Sequence, residues 1–210
     1  LFDDDDFIQS NVDEAYQIEM KSGAAELTEG LNAIALKIII KYIKRILNFD
    51  IEAAPIKYVE GEKQVSYFLV PNPEYKHKKV RIKGTIDHLD ISDGKLRVVD
   101  YKTGRFPDKS KPDNEKLFNR SDNQYDHYLQ VSLYSWLSLK SLLDKPEYEN
   151  LSLSPKLYYV QANMVVDTFI EDQNIGDRGY LNDLFESDLK KLISEILNQH
   201  IPFSGENSKV

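Results

Sequence analysis

Two aspartates and a lysine stand out in the segment GTIDHLDISDGKLRVVDYKTG, from Gly84 to Gly104. Asp87 and Asp100 sit in runs that otherwise read as β-strand, and Lys102 follows the second acid by two positions. Between the runs, Asp93-Gly94 has the composition of a two-residue hairpin turn. With that pair as the loop, Ile91 faces Leu96, Leu89 faces Val98, and Asp87 faces Asp100. Thr85 and Lys102 come next. Opposed residues share a face, with Cβ atoms about 4.5–5.5 Å apart. Like charges so placed destabilise a sheet, and burial makes the repulsion worse. Either one carboxyl takes up a proton or a cation lies between them. Two carboxylates plus a backbone carbonyl are hard oxygen ligands that suit Mg²⁺ or Mn²⁺. With Lys102 beside them, the set suits phosphate chemistry: the metal polarises a phosphoryl oxygen and acidifies a water, and the ammonium orients that water or stabilises developing charge. An exposed hairpin with an ordinary Asp–Lys pair has the same spacing, and a three-residue loop would break the pairing.

The surrounding elements must hold these groups in place. A helix is predicted from about Leu27 to Phe49, with Leu31, Ile34, Ala35, Ile38, Tyr42 and Ile46 marking one face. Strands follow at Tyr58–Val70, Val80–Ile91 and Lys95–Thr103. The stretch from Gly104 to about Asn123 is polar, carries Pro107 and Pro112, and reads as a loop. A second helix is expected over about Tyr125–Leu143. Strands return at Lys156–Gln161 and Met164–Glu171. A final helix over about Leu181–Gln199 places Leu184, Phe185, Leu189, Leu192 and Ile196 at helical spacing, and Pro202 ends it. The acidic run Asp3–Asp6 lacks the alternation and glycine turn of a calcium loop and reads as solvated surface.

Composition narrows the classes. The chain has 210 residues, 41% of them apolar, enough for one sizeable core. It has no cysteine, so disulfides, cysteine-ligated zinc and iron–sulfur clusters within this chain are excluded. A net charge of −8 argues against a generally basic nucleic-acid coat, though not against a local basic groove. No apolar run has the length of a membrane span and no leader opens the chain, so no membrane association is expected and the cytoplasm fits. The opening LFDDDDFIQ is unlike an initiator end, and the chain reads as a fragment of something longer.

Three motifs occur in order: GTIDHLD (84–90), VVDYKTG (98–104) and QVSLY (130–134). Together they resemble the RecB-like branch of the PD-(D/E)XK nuclease superfamily. The match is tight from about Val80 to Trp136, and the helix before it, EGLNAIALKIIIKYIKRILNFD, is similar to that region of AddB-like nuclease domains. The resemblance implies an α/β (α+β) fold, with a central mixed β-sheet flanked by helices. It implies a single nuclease domain, with an acidic extension over residues 1–24, a core over 25–200 and a tail over 201–210. Asp87 and Asp100 would be metal ligands, the carbonyl of Tyr101 would complete the metal's protein shell, and Lys102 would be catalytic. Gln130 and Tyr134, one helical turn apart, would line a DNA channel or brace the site. Glu62 or Glu60 would be an assisting acid. The implied activity is Mg²⁺- or Mn²⁺-dependent DNA hydrolysis, of exonuclease type, in repair or recombination. DNA and a helicase domain or subunit would be its partners.

Two features depart from that branch. Its metal-ligating histidine on an early helix has no counterpart among His77, His88, His127 and His200, and a fragment starting after that helix would have an incomplete site, which leaves its own activity open. His88 points away from Asp87 by the hairpin alternation. The iron–sulfur cysteines of AddB-like domains are also missing, whether cut away with the rest of a full-length parent or lacking in this lineage. Lys76, Lys78, Lys79, Arg81 and Lys83 precede the first acid, and Lys102, Arg105, Lys109 and Lys111 surround or follow the second, as a basic rim or as a solvated edge strand. A non-catalytic DNA-binding or scaffolding module of the same fold is the alternative, and a small-molecule-binding α+β domain a third.

Overall fold

The Asp93-Gly94 turn organises the sheet. Both residues have positive φ, 49° and 68°, the backbone of a type I′ hairpin turn. In the computed structural model, which describes residues 4–20, 30–72, 79–106, 112, 114–119, 125–143, 145–170 and 173–200, it joins β2 (Val80–Ser92) to β3 (Lys95–Lys102). The register is Ser92↔Lys95, Ile91↔Leu96, Leu89↔Val98 and His88↔Val99, as expected for a two-residue loop. The basic residues Lys76, Lys78, Lys109 and Lys111, the tail 201–210 and part of the polar loop lie outside the described residues.

A five-stranded sheet has the order β1-β2-β3-β4-β5, with β1 at Ile56–Leu69, β4 at Ser152–Tyr159 and β5 at Met164–Asp167. All neighbours are antiparallel except β3 and β4, which are parallel, so the sheet is mixed. A parallel pair needs a long crossover. The chain supplies it with the short helix α3 (Asn114–Leu117), inside the expected loop, and α4 (Asp126–Ser141). Val131, Trp136 and Leu137 of α4 are fully buried against Ile86, Leu89, Leu96 and Val98 of the sheet. Buried Ser132 and Ser135 donate back to the carbonyls of Tyr128 and Val131, which satisfies their hydroxyls within the helix. A further two-stranded ladder pairs β6 (Phe169–Ile170) with β7 (Gln173–Asn174).

The other helices depart in detail from the sequence pattern. Asp4 accepts from the backbone N–H groups of Asp6 and Phe7, so the acidic run caps α1 (Asp5–Met20). Helix α2 spans Gly30–Glu52. Its expected apolar face is largely open: Leu31 is 83% exposed, and Ile34 and Ile38 are exposed too. Helix α2 packs with α1, with Lys44 paired to Asp5, and its end reaches the sheet through Phe49, against Val99 and Tyr158. The expected last helix is divided into α5 (Arg178–Tyr180), a π-helical turn over Leu181–Phe185 and α6 (Glu186–Ile196). The wider turn shifts the helical phase, which leaves Leu184 half-exposed while Phe185 and Leu189 are buried.

Behind the sheet, on the α2 side, lies a buried ionic network. Arg97 Nε and Nη2 donate to the two oxygens of Asp90, both at 2.5 Å. The same guanidinium reaches Tyr158 at 2.9 Å and Asp50 of α2 at 3.2 Å. His88 Nε2 lies 2.7 Å from Asp90. Burial opposes ionisation of Asp90, yet the hydrogen bonds of His88 and Arg97 hold its carboxyl below the usual range. Asp90 is fully buried, so removing its partner leaves an uncompensated charge. Arg97→Met should cost about 3–5 kcal/mol, read as a lowered urea midpoint at neutral pH. A loss under about 1 kcal/mol would contradict this placement.

Candidate functional site

The β2–β3 ladder stops at His88↔Val99, one step before the two acids. There β3 stays with β4, pairing through Lys102↔Tyr159, and β2 leaves it. The Asp87 carboxylate takes the place of the next rung: its Oδ2 accepts the N–H of Tyr101 at 2.8 Å. A strand residue's N–H and C=O point to the same neighbour, so the Tyr101 carbonyl also faces this gap. The alternation of β2 breaks here. Ile86 and Leu89 are three residues apart, yet both are fully buried in one core, where strict alternation would put them on opposite faces. The expected ladder pairs Asp87 with Asp100 and Thr85 with Lys102 are therefore not formed: opposed carboxylates repel, and the strands part at that level.

Asp100 is buried. Its Oδ2 lies 2.7 Å from Lys102 Nζ as an ion pair but receives no directed hydrogen bond. Burial pushes the Asp100 carboxyl up, Lys102 pulls it back, and the charge of Asp87 pushes it up again. Lys102 Nζ donates to Gln130 Oε1 at 2.6 Å, and Gln130 Nε2 donates to the Tyr134 hydroxyl at 3.0 Å. Asp100, Lys102, Gln130 and Tyr134 thus form one chain of contacts from β3 to α4. Gly84 makes this possible, because a Cβ there would stand 2.6 Å from the Tyr134 ring.

Glu62 belongs to the same neighbourhood. Its position on β1 lies between the pairs Gly61↔His88 and Lys63↔Ile86, opposite Asp87. Its φ of 50° is a left-handed conformation that a non-glycine residue seldom adopts without constraint. Burial raises the Tyr134 pKa, Gln130 counters it, and the charges of Asp100, Asp87 and Glu62 add to the rise. Glu60 is engaged elsewhere, bonded to Lys63 at 2.6 Å.

His127 falls in none of the three sequence motifs. It lies one helical turn before Gln130 on α4, and its Nδ1 is 2.8 Å from the Tyr159 hydroxyl. Burial lowers its pKa, and the nearby charge of Lys102 lowers it further. The spacing of three from Gln130 was the available signal. His88 lies behind the sheet, as its alternation suggests.

A family model of the PD-(D/E)XK nuclease superfamily matches residues 2–208. The chain belongs to this superfamily. No curated protein matches the chain. Asp100-Tyr101-Lys102 has the D-x-K spacing that the superfamily's name carries. The mixed sheet with flanking helices is that of a restriction-endonuclease-like α+β fold.

The donor set suits a hard divalent cation. It offers Asp87, the Tyr101 carbonyl and a buried Asp100 oxygen that lacks a hydrogen bond. Among the described residues, no three acidic or histidine side chains converge to form a complete cage. Without a cation, Asp100 is a strained group. Its folded pKa is raised, so the folded state keeps the proton to higher pH than the unfolded chain does, and stability falls as pH rises through that window. In EDTA, Asp100→Asn should therefore gain stability relative to the wild type as pH rises from about 4 through the folded-state value. Urea denaturation across that range measures it. A difference that does not change with pH would contradict the strain.

Proposed function

We propose that this chain is a divalent-metal-dependent nuclease domain that hydrolyses DNA phosphodiesters, of the RecB/AddB-like kind that serves repair or recombination. The observation that carries this reading is the junction where β2 and β3 part, with Asp87 on the Tyr101 amide, the Lys102 ammonium on Asp100, and an oxygen of Asp100 left without a directed hydrogen bond. Asp87, Asp100 and the Tyr101 carbonyl would hold Mg²⁺ or Mn²⁺. Such an ion supplies polarisation of a phosphoryl oxygen and an acidified water.

The chain's own residues supply the rest. Lys102 brings an ammonium to the edge of the carboxylate pair. Gln130 fixes that ammonium through its amide oxygen, so little reorganisation is needed when charge develops on the phosphate. Tyr134 fixes Gln130 and packs on Gly84, which ties α4 to the strand bearing Asp87. Glu62 adds an acid from the neighbouring strand, suited to orienting a water. The domain layout follows the same reading, with residues 25–200 as the core, and a helicase domain or subunit is the proposed partner.

The test is cleavage of single- and double-stranded DNA by the purified chain with Mg²⁺ or Mn²⁺. The wild type should cleave, and Lys102→Ala and Asp100→Ala should each lose about 100-fold or more in kcat, the scale of removing one preorganised charge-stabilising group. Undiminished cleavage in both variants would remove the assignment.

A further inference from the structure

Past the point where β3 leaves it, the β1–β2 ladder continues as a two-stranded arm, from Gln64↔Thr85 to Leu69↔Val80. One face of the arm is covered. Val65 and Leu69 are buried there, Tyr67 meets Trp136 edge-on, and Gly84 lies under Tyr134. The other face is open, and its composition is unlike that of the chain as a whole. On β1 it carries Gln64, Ser66 and Phe68, and across from them on β2 stand Thr85, Lys83 and Arg81. Lys79 extends the row, and Lys79, Arg81 and Lys83 are all exposed. Among the described residues this face holds no acid, although the chain carries a net charge of −8. Phe68 is 58% exposed, opposite Arg81, whose guanidinium donates to Ser66 at 3.1 Å and so stays on this face.

We infer that the open face of the β1–β2 arm binds an unpaired nucleic-acid strand next to the Asp87–Asp100 junction. Alternate residues on a strand are about 6.6 Å apart, so Lys79, Arg81 and Lys83 each address a separate phosphate. Phe68 provides an apolar face on which a base stacks. Cations along a backbone track, combined with an exposed aromatic, suit single strands, because the bases of a duplex already stack on each other. The face ends at Thr85, two residues short of Asp87 on the same strand. That the bound strand is a substrate rests on the nuclease reading above; the binding itself does not.

The two can be tested separately. Binding is measured by fluorescence anisotropy of a labelled oligothymidylate in EDTA, where cleavage does not intervene, with a duplex of equal length for comparison. The wild type should prefer the unpaired strand. Phe68→Ala should weaken that binding by about 5- to 150-fold, the factor for one stacked base. Arg81→Ala with Lys83→Ala should reduce the salt slope of log affinity by about 1.4, because two phosphates of the single strand are no longer neutralised. All three side chains are exposed, and thermal melting checks that the variants fold. Cleavage of bis(p-nitrophenyl) phosphate with Mn²⁺, a substrate too short to reach the arm, should be the same in these variants as in the wild type. A preference for the duplex, or equal binding by wild type and Phe68→Ala, overturns the inference. Strand binding intact in EDTA with no wild-type cleavage of the small diester would instead overturn the nuclease reading alone.

Discussion

The repulsion between Asp87 and Asp100 is the constraint on which the site is built. Two carboxylates at one level of neighbouring strands cannot sit in an ordinary ladder, and the ladder ends there. Asp87 turns into the gap and bonds the Tyr101 amide, while Asp100 remains buried beside Lys102. The parting of the strands opens the carbonyl side of Tyr101 as well. Like charges thus create a pocket of oxygen atoms that calls for a cation, and Lys102 meets that need in part.

Two other features hold this unfavourable arrangement in place. On the α4 side, Gly84 admits the Tyr134 ring, and the line from Tyr134 through Gln130 fixes Lys102 against Asp100. On the α2 side, the Arg97–Asp90 pair, joined by Asp50, Tyr158 and His88, locks β2 to β3 just before they separate. Arg97 and Asp90 are themselves a cross-strand pair, with opposite charges where the site has like ones. The same hairpin therefore carries its stabilising ion pair on one face and its strained pair at its open end, three residues away.

Much of this was legible in the residues. The Asp93-Gly94 turn fixed the register from Ser92↔Lys95 to His88↔Val99, which placed Leu89 against Val98, while the expected pair of Asp87 with Asp100 lies one step beyond the end of the ladder. The spacing of Gln130 and Tyr134 placed both on one helix face. Local rules missed three things for physical reasons. The strand parting follows from charge repulsion between neighbouring strands, which alternation along one strand does not express, so Thr85 and Lys102 were expected to face each other. The apolar spacing of α2 marked a helix but not its buried side: Leu31, Ile34 and Ile38 are exposed while Leu36 and Phe49 are buried, because periodicity carries no information about partners. The π-helical turn changed the phase of the last helix, so Leu184 and Phe185, adjacent on one expected apolar face, have opposite environments. The rear network was available in principle, since the register that opposes the two acids also opposes Asp90 and Arg97.

The central claim is that the carboxylate pair is kept for a divalent cation. Thermal unfolding of the wild type, Asp87→Asn and Asp100→Asn over a titration of Mn²⁺ from an EDTA baseline tests it most directly. A ligand that binds only the folded state raises Tm with its concentration. The account predicts a rising Tm for the wild type and a flat response for both variants. A rise of equal size in all three, or none in the wild type, would contradict it.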